Sequence, residues 1–298
     1  PVADDGGEEG PAPTGVPVLA IGLHGHLAPA AWAVAEAAGE SDAEIRVAYV
    51  QTGGGALPGS FSRDVHELRR RGLVVEHVTA GPAYGGQSEA ISLIGALDAA
   101  GSRGWDAVIA GPGPGILGSG TVYGHGGMMA LDVLHAAIAL GMPAVLSPRL
   151  SKGDPRPRHQ GLSHHTEAVL ALALGEIEVP LPDGLEDLAF HIAGLDGGQR
   201  KVTLRPADTD AYGASGLSRR SMGRDLEEDP IFFAAPLAAG RRLAELGLYG
   251  IRSAARRVRR RCDRDHDLGR HHGPADADAV RAAGRLARLC RSERHGDD

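Results

Sequence analysis

Five short apolar runs recur along the chain, each leading into a loop rich in glycine or basic residues and then into a helix-like segment. The runs are VPVLAIGL (16–23), IRVAYVQ (45–51), LVVEHVT (73–79), DAVIA (106–110) and PAVLSPRL (143–150). The helix-like segments cover 27–38, 60–71, 88–100, 128–140 and 164–174. Alternation of this kind needs crossover connections, which give a parallel sheet covered by helices on both faces. Near-continuous apolar runs fit strands buried on both sides better than half-exposed ones. The expected fold class is therefore α/β, a Rossmann-like three-layer sandwich with a mostly parallel sheet of five or six strands. Beyond residue 182 the pattern weakens, with a helix expected near 185–192, a strand at 200–204 and a helix at 230–246.

The two ends differ from this body. Residues 1–15 read as an acidic linker with little to bury, and lack an initiator Met, so a truncated N-terminus is expected. Residues 16–247 are expected to form a single α/β domain. Residues 248–298 concentrate arginine without any lysine. Three readings of this tail stay open: a solvated disordered segment, a basic tail that touches nucleic acid or lipid head groups, and a shifted reading frame.

Composition narrows the partners. A net charge of −7 and 4 % aromatic residues argue against nucleic-acid binding through the core. No apolar stretch is long enough to span a membrane, and the acidic start is unlike a signal peptide, so a cytoplasmic location is expected. The only cysteines, Cys262 and Cys290, lie in the tail, which excludes a disulfide framework and thiol chemistry in the core. A homo-oligomer is compatible with all of this.

In a parallel α/β sheet, ligands bind outside the carboxyl ends of the strands. Here those ends carry GLHGHLAP, QTGGGALPGS, TAGPAYGGQSE, GPGPGILGSG and SPRLSKGDPRPRHQGLSHH. Glycine lets a backbone approach a ligand closely, so Gly53, Gly54, Gly55, Gly111, Gly113, Gly115 and Gly118 are expected to cradle one. Arg149, Lys152, Arg156 and Arg158 fall within ten residues beside one acid, Asp154, and suit a phosphate or carboxylate. Six histidines lie on the same edge: His24, His26, His125, His159, His164 and His165. Of these, His24, His26, His159 and His164 are the candidates for acid–base work, with Asp154 orienting one of them. No fixed metal-ligand spacing such as HExxH occurs, and His164 and His165, being adjacent, are expected to point to different places on a helix. Neither a metal nor a cofactor is assigned.

Familiar chemistries fail. Gly113–Gly118 matches GxGxxG, but it follows the fourth strand, contains proline and has no acid at a strand end about twenty residues on. There is no P-loop and no GxSxG elbow.

The strings GLHGHLAPAAWA (22–33), TGGGALPGSFSR (52–63), GPGPGILGSGT (111–121), DPRPRHQGLSHHT (154–166) and SMGRDLEEDPIFFAA (221–235) together resemble a bacterial domain-of-unknown-function family, number 3866. The resemblance covers roughly residues 16–246. It implies no activity and no catalytic residues. Members of that family resemble one another in carrying a small β-rich segment ahead of the first Gly-His loop, and their pattern stops soon after the EDPIFF helix. The chain departs from the pattern at both places. The leading expectation is an enzyme for a small anionic metabolite, phosphorylated ones included. The alternative is a non-catalytic module that senses a ligand or joins an assembly.

Overall fold

A computed structural model describes residues 15–195 and 198–267. The acidic linker expected at 1–14 and the tail at 268–298 lie outside the described residues. The first half runs β1 (Val18–Ile21), α1 (Leu27–Gly39), β2 (Val47–Thr52), α2 (Arg63–Arg70), β3 (Glu76–Ala80), β4 (Ser88–Ala90), α3 (Leu93–Asp98) and β5 (Ala107–Pro112). It continues with α4 (Met129–Ala139), β6 (Ala144–Ser147), β7 (Leu150–Ser151), β8 (Gly161–Leu162) and α5 (His164–Leu172). The remainder is β9 (Ile177–Pro182), α6 (Glu186–Ala193), β10 (Arg200–Arg205), α7 (Thr209–Ala214), β11 (Arg220–Ser221), β12 (Arg224–Asp225) and α8 (Pro230–Asp267).

Eight strands form one parallel sheet in the order β10-β9-β6-β1-β5-β2-β3-β4. The architecture is the expected three-layer α/β sandwich, with eight strands in place of five or six. The short β4 extends one flank, and β9, with the expected strand β10, extends the other. β1, β2, β5 and β6 are buried along their whole length, as their unbroken apolar sequences require. Residues 88–90, expected to open a helix, instead form the edge strand β4 beside β3, and α3 starts after its N-cap Ser92.

The hand of the crossovers sorts the helices. Connections running from β1 toward β3 place α1 and α2 on one face, where α8 joins them over Leu19, Ile21, Tyr49 and Ile109. Those running back place α3, α4, α5 and α6 on the other, over Val18, Ala20, Val50 and Val108. α8 continues to Asp267, so the boundary drawn at 247–248 falls inside a helix.

The α1–α8 contact depends on small residues. A Cβ on Gly240 would lie 2.3 Å from the carbonyl oxygen of Ala30. Gly240→Ala should therefore force the helices apart and cost about 1–3 kcal/mol. Chemical denaturation of the variant checks this, and unchanged stability would contradict the contact.

The topology also fixes where a ligand can enter. The chain leaves β1 toward one flank on the α1 face and leaves β6 toward the other on the opposite face. The connections leaving β2 and β5 diverge in the same way. Each diverging pair opens a crevice at the carboxyl edge, so the sheet has two topological switch points, β1/β6 and β2/β5.

Candidate functional site

The glycine-rich loops after β2 and β5 close on each other. Leu117 N–H donates to Gly54 O, Ala56 N–H to Gly115 O and Gly126 N–H to Leu117 O. Gly54, at φ +89°, and Gly126 touch so closely that a Cβ on Gly126 would stand 2.1 Å from Gly54 O. Gly55 packs on Gly113, Gly111 on Ile21, Gly113 on Gln51, Gly53 on Pro82 and Gly115 on Leu57. Gly118 bridges to His125. Close approach of loop to loop accounts for these glycines, and the carbonyls of Gly54 and Gly115 are taken up in holding the two loops together.

Asp154 has a different role from the expected one. Its buried carboxylate orients no histidine. It accepts from Arg149 Nη2 at 3.0 Å, from Arg156 Nε and Nη2 at 2.9 Å each, and from Arg224 Nη2 at 3.3 Å. Burial alone would raise this carboxyl, but the Arg156 hydrogen bonds and the Arg156 and Arg224 charges hold it well below the usual range. Arg224 also donates to the buried Asp229, which accepts from Ser151 Oγ and Lys152 N–H. Three guanidiniums thus meet two carboxylates. Arg149 is buried, its Nε has no hydrogen-bond partner, and burial lowers it to about 10 while Asp154 pulls the other way. Lys152 and Arg158 are exposed, and their side-chain nitrogens make no hydrogen bond among the described residues.

Arg149 lines a cleft at the β1/β6 switch point. The other walls are Gly22, Leu23, Gly127, Leu146, Ser147, His165 and Thr166. His26, fully buried at the start of α1, meets Ser147 Oγ through Nδ1 at 3.0 Å and leaves Nε2 without a partner.

Beside this cleft four imidazoles gather from three loops. His125 precedes the turn into α4, His159 ends a 3₁₀ turn, and His164 and His165 open α5 behind the N-cap Ser163. His125 stacks on His165 with centroids 3.5 Å apart, and His164 lies 4.4 Å from His165. His159 is 4.7 Å from His164 and 4.8 Å from His165. The expectation that adjacent His164 and His165 cannot share a target is corrected here. At the first turn of a helix both rings lean toward the preceding loop.

The hydrogen bonds fix several ring states. His164 Nδ1–H donates to Arg158 O at 3.1 Å, leaving Nε2 bare. His159 Nδ1 pairs with Ser163 Oγ at 2.7 Å, and its Nε2 is buried without a partner, while His125 has the Val122 backbone beside it and leaves at least one ring nitrogen unpaired. Arg149 Nη1 donates to His165 Nδ1 at 3.3 Å. Burial pushes His26 and His159 down to about 3, helped by the Arg149 charge, and lowers His125 and His165 as well. These rings are neutral at pH 7. Each buried nitrogen without a partner costs about 1–3 kcal/mol, so their concentration here calls for an explanation.

His24 stands apart. Its Nε2 meets Ser62 Oγ at 2.7 Å and its Nδ1 meets the Tyr49 hydroxyl at 3.3 Å, at the β2/β5 crevice. Tyr49 donates on to Pro112 O at 3.0 Å and stacks on His77, which bonds Gln51. Burial lowers His24 and His77 to about 4. Of the sequence-predicted catalytic residues only His159 and His164 are in contact. His125 and His165 were on the expected edge but outside the candidate set, and Arg224 carried no signal, being seventy residues from Asp154.

The molecule is thus a Rossmann-like α/β protein with an arginine- and histidine-lined crevice at a switch point of its sheet. The chain belongs to the family described as protein of unknown function (DUF3866), whose model matches residues 12–240. Neither a curated protein nor a solved structure matches it. Among the described residues no helix is long and apolar enough to cross a membrane.

Proposed function

We propose that the β1/β6 crevice receives a small anionic metabolite bearing a phosphate or carboxylate, with Arg149 as the charge that meets it. The observation that carries this reading is the buried, incompletely compensated Arg149 guanidinium on the crevice wall. Its group holds one more cation than anions, and a bound anion restores the balance. Lys152, Arg156 and Arg158 add positive potential at the exposed side of the same loop. His26 and His159 present bare Nε2 atoms in this region and supply the acid–base chemistry of an enzymatic version. Burial is the main cause of the low values of both rings, and an anion beside Arg149 would offset the smaller share that the Arg149 charge adds.

A non-catalytic, ligand-sensing version has its own support. Imidazoles held near 3 are poor proton shuttles at pH 7, where a catalytic group works best near the operating pH. Turnover assays on any bound compound separate the two.

The test is titration calorimetry with inorganic phosphate and a panel of phosphorylated and carboxylated metabolites. Arg149→Met should weaken the best ligand about tenfold or more, since losing a charge-assisted hydrogen bond costs about 1.5–3 kcal/mol. Arg149→Met binding as tightly as the parent, or a parent that binds nothing in the panel, would refute the reading.

A further inference from the structure

We propose that His125, His164 and His165 bind a divalent transition-metal ion of the zinc type, with a coordination position left open. One ligand-capable nitrogen from each of these three side chains lies within 4.8 Å of the other two. A zinc ion about 2.1 Å from each nitrogen would need them about 3.4 Å apart, and one of the stacked His125 and His165 rings would have to turn so that both lone pairs meet the ion. Imidazole donors without thiolate or carboxylate suit zinc and its first-row neighbours rather than magnesium or calcium.

Three features point to an ion rather than to ordinary packing. The first is the absence of partners. His125 is buried, and with the Val122 backbone beside its ring at least one of its ring nitrogens has no hydrogen-bond partner. An ion would satisfy it. The second is preorganisation. The Arg158 carbonyl holds His164 in the tautomer that presents a bare Nε2, the outer-shell arrangement that metal-binding histidines use. The third is convergence. A loop after β5 and the start of α5, separated by almost forty residues of chain, place their histidines ring against ring. His159 stands next to the group with its own bare Nε2, suited to hydrogen-bond whatever fills the open position.

Arg149 bears on the metal site in two ways. As a cation it opposes a dication nearby, and Asp154 tempers that charge. It also donates to His165 Nδ1 at 3.3 Å. If Nδ1 is the ligand atom, that contact is exchanged for the metal, and Arg149 Nη1 becomes available to an anionic ligand in the cleft. The metal proposal goes beyond the anion reading and does not depend on it.

The experiment uses the full chain, stripped with chelator and dialysed against Zn²⁺ alone, with bound metal counted by mass spectrometry. Co²⁺ absorption then reports the ligand field. One ion per chain is expected, with the intense visible bands of a tetrahedral nitrogen site. His125→Ala and His164→Gln should each weaken binding by at least roughly a hundredfold, more than the loss of an outer-shell partner. The exposed His66→Ala should bind as the parent does. Circular dichroism confirms folding, and the half-exposed His164 serves if the buried His125 variant does not fold. Less than a tenth of an ion per chain at saturating Zn²⁺, or folded His125→Ala or His164→Gln with parental affinity, would overturn the proposal. Loss of phosphate binding with metal binding intact would overturn only the anion reading.

Discussion

Asp154→Ala should cost about 3–5 kcal/mol of stability, because it leaves three guanidiniums facing one carboxylate in a largely buried group. Arg149 suffers most. It is almost fully buried, and Asp154 is its only carboxylate among the described residues. Arg224 keeps Asp229, and Arg156 is exposed enough to turn to water. For a chain of this size the loss corresponds to a fall in Tm of roughly 6–20 °C. Scanning calorimetry reads it directly. Arg149→Met in the Asp154→Ala background should recover part of the loss, because it removes the charge left without a partner. A fall below about 1 kcal/mol in the single variant would mean that the guanidiniums find water, and that the group is a surface network. The same residue has a functional consequence. Asp154 holds Arg149 against the cleft wall, so its removal should also disturb anion binding.

How much of this was legible in the sequence follows from how local each signal is. β1, β2 and β5 announce themselves because both sheet faces are covered and every position is apolar or small. β4 was hidden because Ser88, Glu89 and Ala90 are few, polar and run into a helix. β9 was hidden by Pro180 and Pro182, which read as strand breakers. The sheet accommodates them because β9 pairs with β6 only at Glu178, and its later residues have β10 alone as neighbour. The carboxyl edge as the place for a site was legible, since it depends only on parallel topology. Which side chains meet there was not. His125 and His165 are forty residues apart, and their stacking depends on how the loops after β5 and β6 settle. The basic loop was visible as a charge cluster, yet its internal pairing on Asp154 also needs Arg224 from beyond β10. Glycine was read as room for a ligand where the loops needed it for each other.

Acidification from pH 7.5 to 5 should destabilise the fold by about 4 kcal/mol through His26 and His77 alone. Both are buried and neutral, and burial is the first cause of their lowered values, about 3 and about 4, against an ordinary value near 6.5. The direction follows from proton counting. Above about pH 6.5 neither the folded nor the unfolded chain binds these protons, so stability does not respond. Below it the unfolded chain takes them up and the folded chain does not, so stability falls as pH falls, until the folded values are reached. At pH 5 each ring contributes about 2 kcal/mol, at 1.36 kcal/mol for each pH unit below the unfolded value. His24, His159 and His165 act in the same direction. The depressed carboxyls, Asp154 among them, lose their contribution mainly below about pH 4.5, and the raised Asp64 and Asp132 work in the opposite direction to the histidines. The expected fall in Tm is roughly 8–16 °C. Calorimetry at the two pH values in metal-free buffer measures it. His77→Gln, which keeps a polar side chain beside Gln51 but cannot be protonated, should flatten the dependence by about one ring's share. A Tm that moves less than about 2 °C between pH 7.5 and 5 would show that the folded protein accepts these protons, and that the buried imidazoles lie closer to water or to anionic partners than their packing indicates.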